Sequence, residues 1–266
     1  MQKQESWDIP HSDIVFCSHD QNDSLGTNNV YSCVVKAVYK QKDVAAKILN
    51  QHAVTNETLT DYLDVVHCSK IGHHKNIVQI MGAYIAEGSW RIVMELMPIR
   101  LWNYLHENGA LENTPLKTVA EGMASGLQYL HSNQQALGFA HGGLSSKNVL
   151  LDVNSPDERE WSVKLSDYYL TTLCPDGSVS HAKGYAAPEL VTGKMRPTQA
   201  DIYSFGVILV EMNTDRALPI SNLKEAFEEV EHNWKPLSDL VKKCICDADI
   251  RLPSIGCVCK ELENLK

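Results

Sequence analysis

Positive charge is scarce in this chain of 266 residues: 24 Lys and Arg stand against 33 Asp and Glu, a formal net charge of −9. Nucleic-acid binding rests on clustered cations facing phosphates, so that class of partner is excluded, and an anionic membrane surface is disfavoured for the same reason. Long apolar runs are missing too. The longest, around Phe205 to Met212, is far shorter than the ~20 residues a bilayer span needs. No basic start leads into an apolar stretch near Met1, so the expected setting is cytoplasmic. Repeats and low-complexity tracts are absent. So is any Cys-x₂₋₄-Cys spacing among the eight cysteines. Cys244-x-Cys246 and Cys257-x-Cys259 lie in helix-like segments, where i and i+2 point to different faces, so buried reduced thiols are expected rather than a zinc site.

What is present is ordinary globular material, 44% hydrophobic and 21% charged, enough for one large domain or two small ones. Residues 1–12 form a polar leader around Trp7-Asp-Ile-Pro10. The onset of patterned sequence directly after it suggests a domain cut from a longer chain. β-rich runs follow at Asp13–Phe16, Val30–Tyr39 and Asp43–Leu49, and again at Asn76–Tyr84 and Trp90–Met97. Between them, Leu59, Tyr62, Leu63 and Val66 recur at helical spacing, which predicts one helix over 55–70. Past Pro98 the period changes. Leu116, Val119, Met123, Leu127 and Leu130 mark a long amphipathic helix, a second runs from about Gln199 to Met212, and further helical segments reach Lys266. The fold class is α+β, with a small β-rich part over 13–97 and a mainly helical part over 98–266. The charged stretch Asn154–Glu160 reads as a solvated loop.

Several short motifs occur in a fixed order. Val44-Ala-Ala-Lys47 is an apolar strand ending in a lysine. His141-Gly-Gly-Leu-Ser-Ser-Lys-Asn148 is a polar loop, followed by Lys164-Leu-Ser-Asp167-Tyr-Tyr169. Gly184-Tyr-Ala-Ala-Pro-Glu189, Asp201-Ile-Tyr-Ser-Phe-Gly206 and Asp247-x-x-x-Arg251 complete the set. Each motif alone is weak evidence, but the ordered set is strong. From about Asp13 to Leu265 the chain resembles a protein kinase domain, of the tyrosine-kinase-like kind, and a bilobal fold is implied.

The resemblance implies a set of nucleotide-facing residues: Gly26, Val34, Ala45, Lys47, Asp64, Met94, Glu95, Met97, Asn148, Leu150 and Asp167. In the family the lysine at Lys47 pairs the nucleotide phosphates and a helix carboxylate. Asp64 falls where that carboxylate is usually Glu; a solvated helix residue is the other reading. Met94 to Met97 match the gatekeeper and the segment whose backbone meets adenine. Asn148 and Asp167 match the magnesium ligands. Glu189 and Arg251 are implied to form a buried ion pair, and Asp201 to anchor the catalytic-loop backbone.

The departures bear on chemistry. Where the family reads H-R-D, this chain has His141, Gly142 and Gly143, so the position that accepts the substrate proton has no side chain. Tyr168 and Tyr169 replace the Phe and Gly of D-F-G. Leu25-Gly-Thr-Asn-Asn keeps one glycine, Gly26, of the phosphate-covering loop, and a plain hairpin is an equal reading. The interval from Glu211 to Cys244 is short for a kinase. The loop resembles those of Janus kinase pseudokinase domains, which implies a catalytically inactive or severely impaired regulatory or scaffolding domain. ATP binding is implied by Lys47, Asn148 and Asp167, with magnesium weak or absent. The implied partner is a protein, such as an adjacent kinase or signalling domain. The alternative is an atypical active kinase, Ser/Thr- or Tyr-directed, that works without the aspartate.

Overall fold

The computed structural model describes residues 8–16, 25, 32–49, 63, 73–132, 140–168, 184–191, 197–214 and 223–265. The chain divides into two compact units, one made, among the described residues, of those up to Met97 and the other of those from Pro98 onward.

The first unit is a five-stranded antiparallel sheet in the order β1-β2-β3-β5-β4, built from Ile14–Phe16 (β1), Ser32–Tyr39 (β2), Lys42–Leu49 (β3), Ile80–Ala86 (β4) and Ser89–Glu95 (β5). Both hairpins close on two residues with positive φ, Lys40 and Gln41 at 49° and 63°, and Glu87 and Gly88 at 53° and 76°. Such turns match the right-handed twist of their strands. Residues directly opposed in neighbouring strands share a sheet face, and the register separates two faces. Ala37 opposes Val44, and Ala46 opposes Val93. These four join Ile9, Ile14 and Tyr84 in one apolar cluster. The other face carries Val34 opposite Lys47 and Ala45 opposite Met94.

Strand limits differ from the sequence reading where turn chemistry intervenes. Asp13 belongs to a 3-10 turn, His11–Asp13. β4 begins at Ile80 instead of Asn76, because His74 folds the chain first: its ring accepts from the Asn76 N–H at 3.2 Å and its carbonyl from the Ile77 N–H at 3.0 Å. Of the helix expected over 55–70, Leu63 is described; it is helical and 1% exposed. The rest of that helix, Val30 and Asp64 lie outside the described residues.

In the second unit, Ile99–Arg100 (β6), Val149–Asp152 (β7) and Ser162–Leu165 (β8) make a three-stranded antiparallel sheet in that order. Helices Leu101–Asn108 (α1), Asn113–Ser132 (α2), Pro188–Val191 (α3), Pro197–Thr214 (α4), Leu223–Asn233 (α5), Lys235–Ile245 (α6) and Ile255–Glu263 (α7) complete the unit. β6 and α1 escaped the sequence reading, since two residues and eight fall below what periodicity resolves. α4 is buried from Ala200 to Thr214 apart from Tyr203, the pattern of a helix enclosed on all sides. Its Gly206 admits α6: a Cβ there would lie 2.6 Å from the Cys244 Cβ and 2.8 Å from the Ile245 Cγ2.

The expectation of buried thiols holds for Cys244 and needs correction elsewhere, because Cys246, Cys257 and Cys259 are only half-buried. In α7 the buried stripe is Ile255, Val258 and Leu262, and the two cysteines flank it. Asn154–Glu160 is an exposed loop with a terminal 3-10 turn in which Asp157 caps the Arg159 N–H at 3.0 Å.

Candidate functional site

In the first unit, the expected site residues lie on the face of the sheet that carries Lys47. Lys47 is 5% exposed on β3, with Val34 on one flank and Ile92 on the other. Ala45 and Met94 lie one row along, both buried. A strand places alternate residues on one face, so Val44-Ala-Ala-Lys47 sends its first and third residues to the core and its second and fourth to this face. Glu95 ends β5, and its carboxylate accepts the Gln79 N–H at 2.7 Å while its own N–H donates to the Gln79 carbonyl at 3.0 Å. Met97 follows, half-buried and outside regular structure. Gly26 and Asp64 lie outside the described residues.

In the second unit, the expected site residues lie on and next to the loop from His141 to Asn148. Asp201, at the start of α4 and 2% exposed, holds it from below. Its carboxylate accepts the His141 N–H at 2.7 Å, the Gly142 N–H at 3.0 Å and His131 Nε2 at 2.8 Å. A carboxylate with this many donors is well satisfied in spite of burial. Gly142 takes φ 77°, a left-handed value natural to glycine, so the missing arginine leaves no strain behind. Gly143 follows with its N–H toward His141 Nδ1 at 3.3 Å and its carbonyl accepting the Asn148 side-chain N–H at 2.8 Å. Both of its polar groups serve the loop. His141 is fully buried, and desolvation holds its imidazole below the ordinary pKa, with Asp201 and Asp167 acting the other way.

Asn148 and Asp167 come together through the β7–β8 hairpin. The Asn148 carbonyl accepts the Ser166 N–H at 2.9 Å, and Asp167 is the next residue, held at φ 59°. That conformation is uncommon for a residue with a side chain and is concentrated at functional sites. Because the Asn148 amide nitrogen is engaged with Gly143, its Oδ1 is left as the acceptor. Two oxygen donors of this kind fit the donor chemistry of one magnesium ion, which would be held by Asn148 and Asp167 and would neutralise phosphate charge. Leu150 is half-buried on β7, opposite Arg100 on β6 and Lys164 on β8. Tyr168 is 1% exposed, whereas Tyr169 lies outside the described residues.

Two features escaped the sequence reading. The first is a buried trio: the Ser146 and Tyr185 hydroxyls donate to the two Glu211 carboxyl oxygens at 3.0 and 2.7 Å, and lie 2.8 Å from each other. It joins the loop, the Gly184–Glu189 segment and α4. Burial pushes the Glu211 carboxyl above the usual carboxylate range. No spacing rule links positions so far apart. The second is Arg100, half-buried at the end of β6, where desolvation lowers the guanidinium's proton affinity and the Asp167 charge raises it. Its one legible sign was a lone cation in the apolar stretch Met97-Pro-Ile-Arg-Leu-Trp102.

The expected Glu189–Arg251 pair is formed and buried. Nη1 reaches Oε1 and Nη2 reaches Oε2 at 3.1 Å, with further bonds from Arg251 to the Gln199 and Cys246 carbonyls. Among the described residues no group of three or more His, Cys, Asp or Glu side chains is placed to hold a metal ion, and no helix is long and apolar enough to cross a membrane.

Comparison with known proteins agrees with this architecture. The protein kinase domain family matches residues 21–256. The serine/threonine-protein kinase CTR1 of Arabidopsis thaliana is 30% identical over 80% of this chain and 26% of its own length. The dual specificity protein kinase shkC of Dictyostelium discoideum is 30% identical over 91% of this chain and 50% of its own. A probable inactive receptor kinase of Arabidopsis thaliana is 30% identical over 73% of this chain and 29% of its own. The chain spans half or less of the length of these curated relatives. With the bilobal α+β architecture and a match over nearly its whole extent, the chain belongs to the protein kinase domain family.

Proposed function

We propose that this domain is a pseudokinase: it binds ATP, transfers phosphate poorly or not at all, and acts in the cytoplasm as an allosteric or scaffolding module for a protein partner such as an adjacent kinase or signalling domain. The observation that carries the reading is Gly143. It stands where the family's proton acceptor stands, and its backbone N–H and carbonyl are both engaged within the loop. A general base contributes ~10²–10⁴ in rate, and ordinary kinase turnover is roughly 1–100 s⁻¹. Losing that group therefore leaves little useful activity, while the scaffold around it keeps its anchors.

ATP binding is supported by the buried Lys47 on its sheet face and by the paired oxygens of Asn148 and Asp167. Lys47 would meet phosphate charge, Asn148 and Asp167 would hold one magnesium ion at most, and Val34, Ala45 and Met94 would give apolar contact. Glu95 and Met97 would offer backbone groups to the base.

A second reading, an active kinase without the aspartate, is favoured by the company the chain keeps, since relatives such as CTR1 are named as serine/threonine-protein kinases. Phosphoryl transfer asks mainly for positioning, so it is chemically coherent. Two measurements separate the readings. ATP at a hundredfold excess over its Kd should stabilise the domain by ~2.7 kcal/mol in a thermal-shift experiment. Labelled phosphate transfer to protein substrates should stay at the level of Lys47→Met. Transfer that Lys47→Met abolishes establishes the second reading instead.

A further inference from the structure

The loop between β7 and β8 closes on one hydroxyl. Ser155 Oγ donates to the Glu160 carboxylate at 2.8 Å and accepts the Asp157 N–H at 3.2 Å, so it ties the start of Asn154–Glu160 to its end. A hydroxyl carries a single hydrogen. That hydrogen is what lets Oγ lie against a carboxylate.

The surroundings are acidic. Asn154–Glu160 holds three carboxylates, Asp157, Glu158 and Glu160, against one guanidinium, Arg159, whose backbone N–H and Nε both donate to Asp157 at 3.0 Å. Pro156 is exposed and disfavours helical backbone at Ser155. The loop therefore offers a Ser-Pro dipeptide of the kind that proline-directed protein kinases accept. It is also joined to the fold: its closing 3-10 turn packs on α2, and Trp161 just beyond meets Tyr104 of α1 edge to face, with ring centroids 5.4 Å apart.

We propose that Ser155 is a phosphorylation site for a proline-directed serine/threonine kinase acting on this domain, and that its phosphate opens the loop. In the transfer, Oγ bonds to the γ-phosphorus of ATP as the bond from that phosphorus to the β,γ-bridging oxygen breaks. ADP leaves, and the hydroxyl proton passes to the base of the acting kinase. The product has lost the hydrogen that Glu160 accepts and gained a charge of about −1.5 to −2. In the closed loop that charge would sit against the Glu160 carboxylate, with Asp157 two residues away. Closure and phosphate therefore exclude each other, so the modified loop populates its open state and Trp161 parts from Tyr104. None of this requires nucleotide bound to the domain itself.

The test incubates the intact domain with ATP and a proline-directed serine/threonine kinase, and locates phosphate by peptide mass spectrometry. Phosphate should appear at Ser155, be lost in Ser155→Ala and enter Pro156→Ala more slowly. Trypsin then reports on the loop, because Arg159 is exposed within it. Cleavage after Arg159 should run about tenfold faster in the phosphorylated domain than in the unmodified one, as the open population rises. Ser155→Glu should share that gain, and Ser155→Glu/Glu160→Gln should lose most of it, since the amide again offers a donor. Circular dichroism identifies any variant that fails to fold, and the phosphorylated wild type carries the test by itself if one does. A domain that takes up no phosphate at Ser155 overturns the proposal, and so does a Ser155-phosphorylated domain cut after Arg159 no faster than before.

Discussion

Single residues set what this domain can do and what it withstands. Glu211 is a carboxyl that burial keeps protonated above its ordinary value of 4.5. The folded state therefore retains a proton that the unfolded chain releases, so stability from this group is present below about pH 4.5 and declines as pH rises toward the folded value. Glu211→Gln mimics the protonated form and should gain on the wild type as pH rises above the ordinary value of 4.5, measured as denaturation midpoints. The opposite trend would mean that Glu211 is ionised in the fold. For the Glu189–Arg251 pair the expectation is larger: Glu189→Gln leaves a buried guanidinium without its counter-charge and should cost ~3–5 kcal/mol of unfolding free energy. A cost under ~1 kcal/mol would place the pair among ordinary surface bridges.

At the scale of elements, packing distances decide. Alanine favours helices over glycine by ~1 kcal/mol, so Gly206→Ala in an isolated helix would stabilise. In this fold the added methyl would meet Cys244 and Ile245 of α6 at 2.6 and 2.8 Å. Overpacking of this kind costs ~1–3 kcal/mol, so thermal unfolding should show a net loss. A gain would mean that α6 gives way easily.

The same scale explains what the sequence disclosed. Strands alternating Val and Ala and helices as long as α2 announce themselves by period, and they set the α+β class. Lys47 and Asn148 were legible because each ends a short motif whose residues sit side by side in the chain. The start of β4 was not, because a histidine side chain captured the turn before it. Ser146 joined to Glu211 could not be read, since helix packing brings those partners together across 65 positions (211 − 146).

Across the whole molecule, the anchors of the kinase framework are kept. Asp201 still holds the loop through two hydrogen bonds and α2 through a third, and Arg251 still closes the lower helices onto Glu189. On the proposed reading, a domain that keeps this framework while Gly142 and Gly143 follow His141 in its loop works by switching or scaffolding, where function depends on shape and on which state a ligand favours. The test at this scale is whether ATP binding outlives catalysis: a thermal shift with ATP that Lys47→Met abolishes, in protein without transfer activity.

The most direct measurement is labelled phosphate transfer by the purified wild type, Gly143→Asp and Gly143→Asp/Lys47→Met side by side. Gly143 has no positive φ to forbid a side chain, so the substitution returns a carboxylate to the proton-accepting position of an intact loop. The wild type should remain at background and Gly143→Asp should rise by ~10²-fold, the lower end of what a general base supplies, with the double variant back at background. Wild-type transfer that matches Gly143→Asp and disappears with Lys47→Met would contradict the account.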